Sequence, residues 1–271
     1  MAVNDVSLTS GMRSNLLQLQ GTSKLIDRTQ ERLSTGKQVN SALDNPTNFF
    51  AAQAHTNRAS DFNIRKDGMA EGIQTAKAAD AGITAITALV DAAKGLAEAA
   101  LGTSNTVDRA NFATQFATLQ SQITSLASDS GYRGTNLLNS QNLTVNFNED
   151  ATASLTVNGF NSTAAGLSIN NANNNWNGSA DITTSQADLK KATDELRSKS
   201  KDLANNLNII ATRQNFTDKM IATLQTGADN LTLADMNQEG ANMLMLQTRQ
   251  NLGTTALSMS SQAAQSVLRL F

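Results

Sequence analysis

Two seven-residue apolar repeats, one at each end of the chain, constrain the fold more than any other feature. Near the start, Met12, Leu19, Ile26 and Leu33 recur at a step of seven, with Leu8 and Leu16 on neighbouring rows of the same helical face. Near the finish, Met236, Met243, Leu257, Ala264 and Phe271 keep that spacing, with Leu246 and Val267 in the adjacent row. A repeat of this period draws an apolar stripe along a helix, and the stripe must be covered by another helix. Neither end has such a partner nearby in sequence, so each is built to pair with something distant. Phe271 is the last residue. An apolar stripe carried that far implies a tail that is docked in the working state rather than frayed.

The same period runs through the interior. Phe62, Met69, Ala76, Ile83, Val90 and Ala97 predict a rod between Asn48 and Ala100, about 80 Å long at roughly 1.5 Å per residue. Phe112, Phe116, Leu119, Ile123 and Leu126 alternate steps of four and three, which predicts a second, shorter helix. Ile182, Leu189, Leu196, Leu203, Ile210 and Leu224 hold one register, broken by Thr217, for a rod of about 65 to 70 Å. Three helices of this kind close one bundle.

The single proline, Pro46, disfavours helix at Asn45, so Gly36 to Thr47 reads as a linker between the terminal helix and the first rod. Gly102 to Asp108 reads as a turn with Asp108 as its cap. Leu143, Val145 and Phe147 alternate with polar residues, Asn148-Glu149-Asp150 turns the chain, and Leu155 and Val157 alternate again. That pattern predicts a small hairpin, with Leu167 and Ile169 as its extension. Asn170 to Ser179 reads as a solvated connection, with a sugar or receptor contact through Trp176 as the alternative.

Composition removes several functions. The chain has 271 residues, enough for one large or two small domains, but aromatics are 4% and charged residues 16%, which suits small-residue helix packing. A net charge of −2 recommends neither nucleic acid nor an anionic membrane as partner. No window approaches the roughly 18 apolar residues of a membrane span, so no stable membrane insertion is expected. Met1 to Ser10 lacks the pattern of a cleaved leader, so export, if it occurs, is expected by a route that reads none. Cysteine is absent, which leaves no disulfide or thiolate metal site. His55 is the one histidine, and the carboxylate neighbours Asp194 and Glu195, or Glu149 and Asp150, do not form an acid and base pair. Neither enzymatic activity nor a cofactor is expected.

Several motifs are more specific than the heptads. Ser14-Asn15-Leu16-Leu17 lies in the first helix; Arg32-Leu33-Ser34-Thr35-Gly36-Lys37 leads to Ser41-Ala42-Leu43-Asp44-Asn45-Pro46; Tyr132-Arg133-Gly134-Thr135-Asn136-Leu137-Leu138 precedes the hairpin. At the far end stand Gln247-Thr248-Arg249-Gln250-Asn251-Leu252-Gly253, Ala256-Leu257-Ser258 and Gln265-Ser266-Val267-Leu268. In these residues the chain resembles a bacterial flagellin of the short type.

The resemblance implies a mainly α fold: long coiled-coil-like rods folded back on themselves, paired N- and C-terminal helices and a small β-hairpin region. Residues 1–45 with 230–271 would form an inner terminal-helix domain in the filament core. Residues 46–229 would form an outer rod domain with its hairpin at about 141–170. The implied function is a structural subunit that polymerises into the flagellar filament for swimming motility, secreted and extracellular. Its partners would be further copies of itself, the flagellar cap and hook-junction proteins, and an export chaperone with the secretion apparatus.

The stripe residues Leu8, Met12, Leu16, Leu19, Ile26, Leu33, Met236, Met243, Leu246, Leu257, Val267 and Phe271 would then face neighbouring subunits, where the plain alternative is the core of an ordinary bundle. Gly36 is either a helix stop or, with Pro46, a hinge. Flagellins seen by the toll-like receptor carry an Arg-Glu-Leu contact where this chain reads Ala92-Ala93-Lys94-Gly95-Leu96, so that recognition is doubtful. Two rival functions are a hook-filament junction protein and a secreted translocator that lays its amphipathic tails on membranes.

Overall fold

The computed structural model describes residues 10–268, with side chains described to residue 266. Five helices carry almost all of the structure: α1 (Ser10–Thr35), α2 (Pro46–Gly102), α3 (Thr106–Asp129), α4 (Ser179–Thr232) and α5 (Met236–Leu268). Strands β1 (Leu143–Asn146) and β2 (Ser154–Val157) form one antiparallel hairpin, with Leu143 opposite Val157 and Val145 opposite Leu155. The fold is therefore mainly α with a small hairpin, as expected. Contacts divide it into two compact units: residues up to Asn57 with those from Thr223 onward, and Arg58–Ala222.

In the larger unit the heptads pack as read. Met69, Ala76, Val90 and Ala97 of α2 are fully buried, with Phe62 and Ile83 nearly so. Ile182, Leu189, Leu196 and Ile210 of α4 and Phe116 and Ile123 of α3 join them in one core. Thr217, which breaks the α4 register, is itself buried. Alanine supplies much of the seam: Ala76, Ala79, Ala93, Ala97 and Ala100 let the backbones approach where bulky residues would hold them apart. The hairpin lies on α2 through Val145, whose Cγ2 stands 2.7 Å from where a Gly72 β-carbon would be.

Three expectations fail locally. Asn105, not Asp108, caps α3: its side-chain oxygen accepts the Val107 N–H at 3.0 Å. Asp108 sits three residues later, still in the first turn, where a negative charge suits the helix N-terminus without capping it. Leu167 and Ile169 are buried but lie in a turn and in the irregular chain just after it, outside the sheet.

The third concerns Trp176, which is fully buried rather than solvated. Its ring centroid lies 4.8 Å from that of Phe116, and its Nε1 donates to Ser185 Oγ at 2.9 Å. Asn174 and Asn175, at φ +49°, and Trp176 itself, at φ +57°, carry the chain through the left-handed region, which Asn tolerates best, and bring the indole inward. Arg109 finishes that end of the unit. Its Nε donates to Ala100 O (3.1 Å) and Thr103 O (2.8 Å), Nη1 to Asn177 O (3.0 Å) and Nη2 to Ser179 Oγ (3.2 Å). One buried guanidinium thus ties the end of α2 to the start of α4.

In the smaller unit α1 and α5 run antiparallel. Arg32 near the end of α1 meets Glu239 near the start of α5 at 2.9 Å, and Leu19 lies against Gly253 farther along. Gly36, at φ +69°, stops α1 with its N–H on Arg32 O, a left-handed cap that glycine adopts without strain. The chain then pairs briefly with the α4–α5 junction: Gln38 N–H donates to Thr232 O at 2.7 Å and Ala234 N–H to Gly36 O at 3.0 Å. Pro46 opens α2, where its missing N–H costs nothing, and Asn45 Oδ1 caps that turn through the Asn48 N–H.

Candidate functional site

The terminal pair is incompletely covered. Of the residues read as its stripe, only Met12 and Leu246 are buried; Leu19, Ile26, Leu33, Met243 and Leu257 are half-buried, and Leu16 and Met236 are exposed. Leu8 and Phe271 lie outside the described residues, and Val267 lies in α5 beyond the described side chains. The remaining buried positions of the seam are polar. Thr22, Thr29 and Glu239 are all below a tenth exposed, and the Thr22 hydroxyl is satisfied by Gln18 O within its own helix. The two helices meet through a thin seam, and an open groove of about 530 Å³ runs along it past Leu19, Gly21, Leu25 and Gly253.

α5 carries a second apolar stripe beyond the seam repeat evident in the sequence. Met245, Leu252 and Met259 also repeat at seven, and they are 52%, 66% and 61% exposed. Leu244 beside them and Leu17 on α1 are more exposed still. The seven-residue spacing is visible in the sequence, but on the helix it lies well away from the seam stripe, toward the opposite face. α5 is therefore apolar on a face that α1 covers and on a face that nothing described covers. A helix with apolar residues on both faces is a buried helix, and exposed apolar side chains clustered in this way mark an interaction surface.

The linker adds a rigid projection. Asp44 Oδ2 accepts the N–H of Ser41 (2.9 Å), the N–H of Asn40 (3.1 Å) and the Ser41 hydroxyl (3.2 Å). These bonds, led by the Ser41 and Asn40 amides, hold the carboxyl below its ordinary value, with Arg32 contributing least. At the apex of this closed turn Leu43 is 96% exposed. Among the described residues no group of three or more His, Asp or Glu side chains is placed to hold a metal ion. None of the described helices is long and apolar enough to cross a membrane.

A model of the bacterial flagellin N-terminal helical region matches residues 3–143, more than half of the chain. The chain belongs to the bacterial flagellin family. Two flagellins of Caulobacter vibrioides, FljM and FljN, are 31% and 33% identical to it over the whole length of both chains. A flagellin of Brucella melitensis is 28% identical over 97% of this chain and 98% of its own. This flagellin is a structural subunit of the flagellar filament, and its family polymerises into that filament. For a subunit, the surface to be explained is one that receives further copies of itself, and the uncovered faces of α1 and α5 have that chemistry.

Proposed function

We propose that this flagellin joins the filament through its terminal helices, whose folding is completed by neighbouring subunits. The observation that carries this is the outward stripe Met245, Leu252 and Met259, left open on a helix already paired by its other face. Covering each of these side chains contributes about 1 to 2 kcal/mol, a little below the full transfer value because each is already partly shielded. A thin two-helix pair is marginal in water by itself, so the same burial stabilises both the helices and the polymer. The set Leu8, Met12, Leu16, Leu19, Ile26, Leu33, Met236, Met243, Leu246, Leu257, Val267 and Phe271 supplies the inner side of the contact. The inner domain proposed for the filament is residues 1–45 with 230–271 and the outer one residues 46–229, a narrower inner part than the contact-defined unit, which runs to Asn57 and resumes at Thr223.

A contact made by different patches on two copies does not close on itself, and repetition of one such contact builds a helical filament. The subunit travels to the growing end unfolded, by way of an export chaperone and the flagellar secretion apparatus, and assembles under the cap on the hook-junction proteins. A chain without cysteine cannot cross-link on that journey. Gly36 and Pro46 bound the segment that takes up small shifts between filament states.

The test is the triple variant Met245→Gln, Leu252→Gln, Met259→Gln in salt-induced assembly followed by electron microscopy. The expected result is a subunit whose far-ultraviolet dichroism and main unfolding transition are unchanged but which makes no filaments. Normal filaments from the variant would remove the outward stripe from the contact.

A further inference from the structure

We infer that Asn177 is a site of spontaneous deamidation and isoaspartate formation, selected by the fold. Asn-Gly is the pair with least steric hindrance to attack of the following amide on the Asn side chain, and the chain has two such pairs, Asn158-Gly159 and Asn177-Gly178. Both asparagines are exposed. Their glycines are not equivalent.

The Gly159 N–H is committed to Asn142 Oδ1 at 3.0 Å. Its α-carbon is packed so tightly that a β-carbon would collide with Gln141 O and Leu137 O, so this peptide cannot rotate toward its side chain. The Gly178 N–H donates to no described residue, and Gly178 meets only the flexible end of Asp181.

Arg109 adds an electronic effect. Its Nη1 donates to the Asn177 main-chain carbonyl at 3.0 Å. A cationic donor on that oxygen draws electron density from the Asn177–Gly178 peptide and makes the Gly178 N–H more acidic, by stabilising the negative charge that its loss creates.

The deprotonated Gly178 nitrogen attacks Asn177 Cγ. A carbon–nitrogen bond forms, the Cγ–Nδ2 bond breaks, and ammonia leaves with a proton from solvent. Water then opens the cyclic imide at either carbonyl, giving aspartate or isoaspartate at position 177. Neither oxidation nor reduction is involved. The isoaspartyl product lengthens the backbone by a methylene group at the residue whose carbonyl Arg109 holds, so the modification loosens the join between the end of α2 and the start of α4.

The experiment is a time course on the folded full-length chain at mildly alkaline pH, with peptide mapping by mass spectrometry and labelling by an isoaspartate-specific methyltransferase. Conversion at Asn177 is expected to run roughly tenfold or more faster than at Asn158, the order of ratio set when one protein hydrogen bond must open first. In urea the two sites should convert at similar rates, because the difference belongs to the fold. Gly178→Ala, whose β-carbon would displace only the Asp181 carboxylate, should abolish the labelling at 177. Equal rates at the two sites in the folded chain, or conversion at 177 that survives Gly178→Ala, would overturn the inference.

Discussion

Leu19 and Gly253 lie so close across the terminal pair that a β-carbon on Gly253 would stand 2.8 Å from Leu19 Cδ2 and 3.1 Å from its Cγ. Gly253 is what lets α5 receive Leu19 at that level. The atoms it would meet are the free end of a leucine, which can turn away, so size decides the outcome. Gly253→Ala should be close to neutral, the gain of about 1 kcal/mol in helix propensity offsetting the crowding. Gly253→Phe cannot be accommodated without parting the helices, and it should prevent filament growth while the larger unit melts at its usual temperature. Sedimentation of polymer and dichroism of the soluble subunit read the two effects separately.

Asp44 sets a pH limit on the projecting turn. Its folded-state pKa lies below the ordinary 3.8 because the Ser41 and Asn40 amides donate to the ionised form. A depressed carboxyl contributes stability above its unfolded pKa and loses it as pH falls through the folded value. The turn should therefore hold at neutral pH and loosen only below pH 3.8. Nuclear magnetic resonance shifts of the Asn40 and Ser41 amides should titrate in that range in the wild type. In Asp44→Asn they should sit at their loosened positions at neutral pH and show no titration.

Trp176 tests the larger unit. Trp176→Ala removes a fully buried indole from against Phe116 and should destabilise the unit by about 3 to 5 kcal/mol. Trp176→Phe keeps most of the packing and loses the bond to Ser185 Oγ, a change of about 1 kcal/mol. Thermal unfolding followed by dichroism measures both. Identical melting of the alanine variant and the wild type would contradict the packed position.

The rods were legible because their period leaves little choice: Met69, Ala76 and Val90 are each invisible to solvent, and so are Leu189 and Leu196. The hairpin was legible from alternation, since Val145 and Val157 face inward where Thr144 and Thr156 do not. Trp176 is hard to place from the sequence because Asn173 to Asn175 before it and Asn177 after it are all polar. Nothing in an Asn-rich run announces that left-handed backbone at Asn174 and Asn175 will turn one indole into a core formed by residues far away in sequence. Asp108 has the residue type of a cap, but α3 begins at Thr106, so the capping position falls to Asn105. The second stripe of α5 is hard to see in the sequence because the seam repeat already accounts for a helix of this length. It bears most on function, because Leu252 and its neighbours are the side chains left without cover.

Amide hydrogen exchange on dilute subunits and on assembled filaments tests the completion of folding by neighbours most directly. Residues of α1 and α5 should exchange far faster than the buried stretch of α2 in the free subunit, and become comparably protected in the polymer. Protection of α1 and α5 that is already high in the free subunit and unchanged on assembly would contradict the account.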